Sequence, residues 1–479
     1  MVSCFQLLEQ AAATWPERTA LIDEYGTLSY QDLYLQTARL TADLQALGVS
    51  HGSGLAVMGR NSRAFVAAML AGMGCGAVVV PLSHQLKAAE ISQILQDTGV
   101  HGVVDDHSGL TPASGPAVML PFAKQTLRLT WLKPTANQAL TPLADAAFIR
   151  YTSGTTGASK GVVLSHRSIL ARVEAASKAL QLDCDDVVLW ILPMAFHFLV
   201  SILVYIRVGA TTVICKDLLA ATLIEAANRH QASLLYAAPM HFRLLAADTS
   251  GLAMTTLKYA ISTSSAIPPQ VALAFKQRFH IPVSQAYGII EAGLPLLDCL
   301  TGETDPRSVG YQTDGFELAL LDEADQEVPE GQVGRLAIRG PGLFDAYLQP
   351  WQTAAQVMGN GWFMTGDLAY RQGDGRVIVC GREKSMINVS GNKAFPEEVE
   401  AVLNAHPDIT AARVFGQPHP LWGEVVCAEV VLRQHAQWDE EAVLAFCRQR
   451  LSTYKIPQRV RTVAQISHTT SGKIKRMEA

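Results

Sequence analysis

Short β-rich runs alternate with longer helix-like stretches over about the first 300 residues, and this alternation is what most constrains the fold. The helix-like stretches 30–47 and 64–73 are interleaved with apolar runs of four residues at 55–58 and 77–80. Strands joined through helices lie parallel in one sheet, so the pattern predicts an α/β fold with largely parallel sheets.

The sequence pattern changes after about residue 300, from alternating strands and helices to strands and turns. Strand-like runs at 316–321 and 334–340 are separated by a polar turn, and from residue 382 helix and strand patterns mix again. A chain of 479 residues is too long for one hydrophobic core. We therefore predict a large N-terminal domain, residues 1–381, of α/β subdomains plus a small β-rich subdomain. A small, mobile α+β C-terminal domain, residues 382–479, follows it.

The composition limits the classes of binding partner and the cellular compartment that we expect. The chain is 49% hydrophobic and 17% charged with a net charge of −5, which argues against a nucleic-acid partner bound through a basic face. Its eight cysteines form no CxxC pair and no regular spacing, so neither a disulfide framework nor a zinc site is expected. The first residues lack the basic and apolar segments of a secretory signal, and we expect a cytoplasmic protein.

One apolar run has the length of a membrane span. Residues 187–206 are largely apolar, but Pro193 and His197 interrupt them. The run divides into a buried strand at 187–192, a turn, and a buried helix from Phe198 onward. We expect no transmembrane segment.

A loop rich in hydroxyls and glycines follows the strand-like run 146–151. Its candidate phosphate-binding residues are Thr152, Ser153, Gly154, Thr155, Thr156, Gly157 and Lys160. Glycines allow backbone N–H groups to approach an anion, hydroxyls add donors, and the lysine adds a point charge. The loop lacks the spacing of the common nucleotide loop, because Ser159 and Gly161 stand where that motif has Gly and Ser or Thr.

Four further motifs follow the loop in order. They lie at 285–291, at 361–367, at 381–384 with Gly391, and at 470–473. In identity, order and separation the five motifs resemble the adenylate-forming superfamily, which includes acyl-CoA synthetases, peptide-synthetase adenylation domains and luciferases. The resemblance covers nearly the whole chain. Each motif is weak alone, whereas five in this order are specific.

The resemblance implies an ATP site. The loop would hold the pyrophosphate, and Tyr287, flanked by Ala286 and Gly288, would stack on adenine. Asp367 would accept hydrogen bonds from both ribose hydroxyls, which requires an ionised side chain that only accepts. Arg382 is expected near the ribose and phosphate, where its planar fork serves two acceptors.

The resemblance also implies the catalytic groups. Glu291 would help to hold Mg²⁺, a hard cation that prefers carboxylate and phosphate oxygens. Lys473 is the main catalytic candidate, because a cation lowers the barrier when a carboxylate attacks the α-phosphate. The small domain would rotate about Lys384 and present the segment around Gly391 to the pantetheine channel of the acceptor.

The sequence identifies only some of the residues expected to bind the carboxylic acid substrate. His197 matches a family position beside the substrate carboxylate, although a histidine in apolar surroundings is often a core residue. No Asp or Glu lies between Asp186 and Asp217 to hold an α-ammonium group, so an α-amino acid is disfavoured and a fatty or aromatic acid fits better. Residues 262–268 would form another wall, more polar than is common in the family.

We therefore predict an ATP- and Mg²⁺-dependent acid–thiol ligase. It would form an acyl-adenylate from a small carboxylic acid and pass the acyl group to the phosphopantetheine thiol of CoA or of an acyl carrier protein. Ile290 stands where the family usually has a threonine that donates to the α-phosphate. This departure leaves open a non-catalytic or regulatory nucleotide-binding relative. An adenylate-former with a non-thiol acceptor also stays open.

Overall fold

The computed structural model describes residues 3–107, 115–132, 140–151, 160–300, 302–390, 392–467 and 474. In chain order its α-helices are α1 (Gln6–Thr14), α2 (Tyr30–Ala46), α3 (Arg63–Gly74), α4 (Ala88–Thr98), α5 (His166–Leu180), α6 (Met194–His197), α7 (Leu203–Val208), α8 (Ala220–Arg229), α9 (Pro239–Ala246), α10 (Pro269–Phe279), α11 (Ala354–Val357), α12 (Pro396–Asn404) and α13 (Glu440–Arg448). A π-helical turn spans Phe198–Ile202, and 3₁₀ turns span Glu383–Ser385 and Thr453–Lys455.

The strands, also in chain order, are β1 (Thr19–Asp23), β2 (Gly26–Ser29), β3 (Gly54–Gly59), β4 (Val78–Ser83), β5 (Gly102–Asp105), β6 (Ala117–Phe122), β7 (Gln125–Trp131), β8 (Ala146–Tyr151), β9 (Gly161–Ser165), β10 (Val187–Trp190), β11 (Thr211–Ile214), β12 (Leu234–Ala237), β13 (Tyr259–Ser262), β14 (Val283–Ile289), β15 (Gly293–Leu297), β16 (Tyr311–Gln312), β17 (Glu317–Leu321), β18 (Gly334–Arg339), β19 (Ala346–Tyr347), β20 (Gln352–Thr353), β21 (Phe363–Arg371), β22 (Val377–Arg382), β23 (Ile387–Val389), β24 (Asn392–Ala394), β25 (Ile409–His419), β26 (Gly423–Leu432) and β27 (Arg459–Thr462).

Two large mixed sheets form the N-terminal part of the molecule. One has the order β20-β19-β9-β8-β4-β3-β5-β7-β6 and the other β16-β15-β14-β13-β12-β10-β11-β1-β2. Their central pairs, such as β3 with β4 and β12 with β13, are parallel, whereas pairs nearer the edges, such as β8 with β9 and β14 with β15, are antiparallel. The predicted α/β fold is confirmed, but the parallel pairing that we predict for most of each sheet is confined to the sheet centres.

The main hydrophobic core lies between these two sheets. It combines buried side chains of α2, α3, α5 and α7 with strands of both sheets. Helix α3 is apolar all round and buried from Arg63 to Met73, as expected for a helix enclosed by protein. Ser62 begins it by accepting a hydrogen bond from the backbone N–H of Phe65.

The apolar run 187–206 is broken as the sequence predicts. It forms β10, the short helix α6 and then the π-helical turn that leads into α7, so the helical part begins at Met194 and not at Phe198. Pro193 fixes an extended backbone immediately before α6. Within the described ranges, no helix combines the length and apolar character that crossing a bilayer requires.

The predicted β-rich subdomain is an antiparallel sheet of order β17-β18-β21-β22. Its strands carry two of the predicted site residues, Asp367 on β21 and Arg382 at the end of β22. The sheet thus brings the motif at 361–367 next to the motif at 381–384.

The C-terminal part has its own sheet and core. Strand order is β24-β23-β26-β25, with β27 parallel to β26, and α12 and α13 contribute to a separate apolar cluster. Helix α13 begins where the side chain of Asp439 accepts a hydrogen bond from the backbone N–H of Ala442. Strand β22 runs across residues 381 and 382, and the domain boundary there stays a prediction.

Candidate active site

The candidate phosphate loop follows β8 and precedes β9 in the chain. Strands β8 and β9 are antiparallel, and their last pair joins Tyr151 to Gly161. The loop therefore connects two strands, and helix α5 begins only after β9. The six candidates from Thr152 to Gly157 lie outside the described residues.

Lys160, at the end of the loop, lies over an aromatic ring. Its Nζ atom is 4.5 Å from the ring centroid of Tyr347 on β19. Strand β19 pairs with β9, so the sheet edge itself brings Tyr347 beside the loop. The hydroxyl of Tyr347 donates to Oε1 of Glu291 at 3.2 Å. Tyr347 thus joins the predicted phosphate lysine to the predicted magnesium carboxylate.

Asp367 is held by three neighbours. The hydroxyl of Tyr287 donates to its Oδ2 at 2.5 Å, and Nε of Arg382 lies 2.9 Å from its Oδ1. Its own backbone N–H donates to Oγ1 of Thr365 at 3.1 Å. Because Asp367 and Arg382 are cross-strand partners, the β21–β22 register sets this ion pair. The structure brings together the residues that the sequence assigns to adenine and ribose.

Tyr287 remains partly exposed while its hydroxyl is held. Burial, with the nearby Asp367 carboxylate, raises the pKa of its hydroxyl well above the ordinary value, so the group stays a neutral donor. A Cβ on Gly288 would lie 2.7 Å from the carbonyl oxygen of Gly293, so β15 passes close only because the residue is glycine. Ala286 is buried beside them.

Glu291 follows β14, and both its backbone carbonyl and its side-chain carboxylate accept hydrogen bonds. Its carbonyl accepts from the backbone N–H of Phe344 at 2.7 Å, and its carboxylate accepts from Tyr347. No group of three or more acidic, histidine or cysteine side chains that could hold a metal occurs in the described part of the chain. A single carboxylate fits Mg²⁺, which usually keeps several waters and binds phosphate oxygens as well.

A buried arginine supports the residue before Glu291. Arg172 on α5 donates from Nε to the carbonyl of Gly342 at 3.0 Å and from a terminal nitrogen to the carbonyl of Ile290 at 2.9 Å. Ile290 is itself 9% exposed and offers no hydroxyl to the site. Burial lowers the pKa of Arg172 to about 10, and it remains a cation at neutral pH.

His197 faces the polar wall that the sequence predicts. Its Nε2 lies 3.3 Å from the hydroxyl of Ser264, whose φ of +74° is unusual for a residue with a Cβ. The indole of Trp190 meets the imidazole edge to face, with centroids 6.2 Å apart, and stacks on Tyr236 at 6.1 Å. His197 and residues 262–268 therefore lie together, beside buried aromatic rings.

The predicted lid residues are only partly described. Lys384 is exposed in the 3₁₀ turn that follows Arg382. Helix α12 contacts β22, and Gly381 leaves the space that the carboxylate of Glu397 occupies. Gly391 and Lys473 lie outside the described residues.

Sequence reasoning missed two residues that line the site, Tyr347 and Arg150. A terminal nitrogen of Arg150 donates to the carbonyl of Phe196, next to His197, and the Glu291 carboxylate is near enough to oppose the lowering of the arginine's pKa by burial. A charge within the apolar run 146–151 was the signal for Arg150. Nothing local singles out Tyr347, because only the pairing of β19 with β9 places it.

Family models and curated relatives match this chain over most of its length. Residues 8–348 match the family model of AMP-binding enzymes, and residues 398–473 match that of the AMP-binding enzyme C-terminal domain. The chain is similar to the sulfoacetate–CoA ligase of Cupriavidus necator, with 29% identity over 98% of this chain and 96% of that protein. It is also 29% identical to a feruloyl-CoA synthase of an Amycolatopsis species, over 97% of each.

The fold has counterparts among solved structures. The ATP-bound crystal structure of MatB from Rhodopseudomonas palustris superimposes with a TM-score of 0.86, covering 99% of this chain and 97% of MatB at 24% identity. The likeness extends over the N-terminal sheets and the C-terminal domain together.

Proposed function

The chain belongs to the family of AMP-binding enzymes. We propose that it is an ATP-dependent carboxylic acid ligase. It forms an acyl-adenylate and passes the acyl group to a phosphopantetheine thiol, that of CoA or of a carrier protein. The observation that carries the proposal is the convergence of Tyr287, Asp367 and Arg382 at one site. Glu291 follows Tyr287 by four residues, between β14 and β15.

The nucleoside of ATP is recognised by this cluster. Adenine stacks on the exposed part of the Tyr287 ring, where a flat π-surface suits a base. The ribose hydroxyls donate to Asp367, whose carboxylate is already oriented by Tyr287 and Arg382. A carboxylate held in this way loses little conformational entropy when the sugar binds.

The triphosphate extends from the ribose toward Lys160 and Glu291. Lys160 provides a cation at the end of the hydroxyl-rich loop, and Tyr347 holds the carboxylate of Glu291 beside it. When bound, Mg²⁺ neutralises part of the phosphate charge, and Glu291 is the protein ligand we assign to it.

Adenylation joins the acid to AMP. A carboxylate oxygen of the acid attacks the α-phosphorus, the bond from that phosphorus to the pyrophosphate oxygen breaks, and pyrophosphate leaves. Two anions approach each other in this step, so a cation beside the developing charge lowers the barrier. We assign that role to Lys473 and the position beside the acid's carboxylate to His197.

Thioester formation completes the reaction. The thiol sulfur attacks the acyl carbonyl, the bond to the AMP oxygen breaks, and the thiol gives up its proton. Because Lys473 belongs to the same C-terminal region as Lys384, rotation about Lys384 removes the lysine and admits the thiol. The same rotation brings the segment around Gly391 to the acceptor channel.

The acid is a fatty or aromatic one. Trp190 and Tyr236 are buried rings that give His197 apolar surroundings, and no carboxylate is available between Asp186 and Asp217 to pair with an α-ammonium group. An unpaired ammonium in such surroundings costs several kcal/mol. The two relatives named above act on acids as different as sulfoacetate and ferulate, so 29% identity leaves this choice to experiment.

Pyrophosphate exchange tests the proposal. The enzyme is screened with labelled pyrophosphate, ATP and Mg²⁺ against fatty, aromatic and α-amino acids, with Asp367→Asn as the matched site variant and Asp374→Asn, at an exposed turn, as the control. Exchange with a fatty or aromatic acid, weakened by the first variant only, supports it. Exchange that peaks on an α-amino acid contradicts the acid class, and ATP binding without exchange for any acid contradicts the reaction.

A further inference from the structure

We propose that Arg150 is a catalytic residue of the adenylation step. Its guanidinium donates hydrogen bonds to the anion that forms where the carboxylate of the acid meets the α-phosphate of ATP. It thereby replaces the hydroxyl donor that Ile290 lacks. This inference rests on the proposed function and assigns it one more group.

Strand register directs Arg150 into the site. Successive side chains of β8 point to opposite faces, with Phe148 in the main core between the large sheets and Ile149 in the cluster on the other face. Arg150 shares the face of Phe148 and directly precedes Tyr151, the last residue before the phosphate loop. Its cross-strand partner is Val162, two residues beyond Lys160.

The guanidinium lies beside Phe196, the neighbour of His197, and close enough to Glu291 for their charges to interact. It donates to the carbonyl of Phe196, and its carbon lies 5.7 Å from the centroid of that residue's ring. His197 is the next residue. Two charged groups are also near. Burial lowers the pKa of Arg150 and the charge of Glu291 opposes that lowering, while the pKa of Arg172 is lowered mainly by burial and further by the charge of Arg150.

The guanidinium of Arg150 has an N–H group available for a further hydrogen bond. No acceptor lies within hydrogen-bonding distance of its buried Nε in the described part of the chain. Two other buried arginines are better satisfied: Arg63 donates from Nε to Asp23, and Arg172 donates from Nε to the carbonyl of Gly342. An unmet buried donor carries a desolvation cost, which an anion bound at this place would recover. Arg150 is thus a cation prepared for a ligand, whereas Arg172 is a structural support.

Ile290 explains why the site needs this donor. The family usually places a threonine hydroxyl beside the α-phosphate here, and an isoleucine side chain donates nothing. Glu291, adjacent to Ile290, faces Arg150 closely enough for their charges to interact. An arginine fork in this position supplies one or two donors to the same anion and adds a full positive charge.

A double-mutant cycle tests the proposal. The variants are Arg150→Met, Arg150→Lys, Ile290→Thr and Arg150→Met with Ile290→Thr, and Arg167→Met, at an exposed position of α5, is the control. The assay is pyrophosphate exchange with an acid that the wild type accepts. We expect Arg150→Met to lower kcat about 100-fold, as loss of a preorganised donor does, with the KM for ATP within about threefold.

The other members of the cycle separate a catalytic role from a structural one. We expect Arg150→Lys to keep about a tenth of the wild-type kcat, because it retains the charge but not the fork. Ile290→Thr should restore at least about tenfold in the Arg150→Met background while changing the wild type less than about threefold. Thioester formation from supplied acyl-adenylate should stay within about threefold in every variant.

Each contrary result has a distinct meaning. Equal loss of both half-reactions, or no restoration by Ile290→Thr, overturns the assignment in favour of a structural arginine. A loss confined to the KM for the acid overturns it in favour of substrate selection. If the wild type exchanges with no acid, the proposed function itself fails. If the wild type exchanges and both Arg150→Met and Arg150→Lys match it, only the assignment of Arg150 fails.

Discussion

The hydroxyl of Tyr287 donates to Oδ2 of Asp367 at 2.5 Å, although the two residues are 80 positions apart in the sequence. The first lies on a strand of a large N-terminal sheet and the second on the small antiparallel sheet. The hydrogen bond therefore joins two sheets at the proposed nucleoside site, and Arg382, on the strand next to that of Asp367, forms an ion pair with the same carboxylate. The two residues that we propose for adenine and ribose thus form one hydrogen-bonded unit.

Disrupting this unit should weaken ATP binding. Asp367→Asn replaces a charged acceptor by a neutral amide, and we expect the KM for ATP to rise about 10- to 100-fold. Tyr287→Phe keeps the ring and removes only the hydroxyl that orients Asp367, so a rise of about three- to tenfold is expected. Pyrophosphate exchange at varied ATP gives both values. If Tyr287→Phe raised the KM for the acid and left that for ATP unchanged, the nucleoside site would be misplaced.

Glu291 should set the Mg²⁺ requirement. Glu291→Gln removes the negative charge but keeps the shape, and we expect the Mg²⁺ concentration for half-maximal exchange to rise about tenfold or more. Tyr347→Phe, which frees the carboxylate from its hydroxyl donor, should shift it by less than about threefold. The measurement is a Mg²⁺ titration at fixed ATP, with the exposed Glu303→Gln as control. An unchanged midpoint in Glu291→Gln would remove Glu291 from the metal site.

Lys473 should serve one half-reaction only. We expect Lys473→Ala to abolish pyrophosphate exchange, because the approaching carboxylate and phosphate lose their cation. Thioester formation from supplied acyl-adenylate should be largely intact, since the proposed domain rotation removes Lys473 before that step. Lys475→Ala removes a neighbouring charge and serves as the control. Equal loss of both steps in Lys473→Ala would contradict the separate roles.

His166 should make stability depend on pH. Its Nδ1 accepts from the backbone N–H of Cys4 at 3.2 Å, and burial, aided by the charge of His51 and opposed by that of Asp145, lowers its pKa from 6.5 to about 4. Between those values the unfolded chain binds the extra proton, so stability falls as pH falls. From pH 7 to pH 5 the cost is about 2 kcal/mol.

His166→Asn should remove this dependence. The amide oxygen can accept from the same N–H and does not titrate in this range. Urea titrations at pH 7 and pH 5 give the free energy of unfolding for both proteins, and the difference between them cancels the other titrating groups. A loss of stability at pH 5 that is as large in the variant as in the wild type would show that His166 does not carry it.

The sequence predicted the elements well where the patterns are local. The strands β8 and β10, helix α3 and the β-rich subdomain all follow from runs of apolar residues and from turns. The turn to α6 was predicted from Pro193, but the helix begins before Phe198 because the short helix and the π-helical turn continue one another. Local patterns say little about such irregular helical turns.

Contacts between distant motifs could not be predicted in the same way. The family resemblance assigned Tyr287 to adenine and Asp367 to ribose, yet nothing in the sequence shows that the first holds the second. That contact depends on how two sheets meet. Tyr347 reaches Lys160 and Glu291 through the pairing of β19 with β9, a long-range register without a local signal. Arg150 did have one, a charge at the end of an otherwise apolar strand.

Analysis of the reaction products is the most direct test of whether the protein is an AMP-forming acid–thiol ligase. The enzyme is incubated with ATP, Mg²⁺, CoA and an acid that supports exchange, and the products are identified by mass spectrometry, with a parallel reaction that contains a holo carrier protein. We expect equal amounts of AMP and acyl thioester with at least one of the two thiols, and no thioester without ATP. Formation of ADP in place of AMP, or of AMP with no thioester on either thiol, would contradict an AMP-forming acid–thiol ligase.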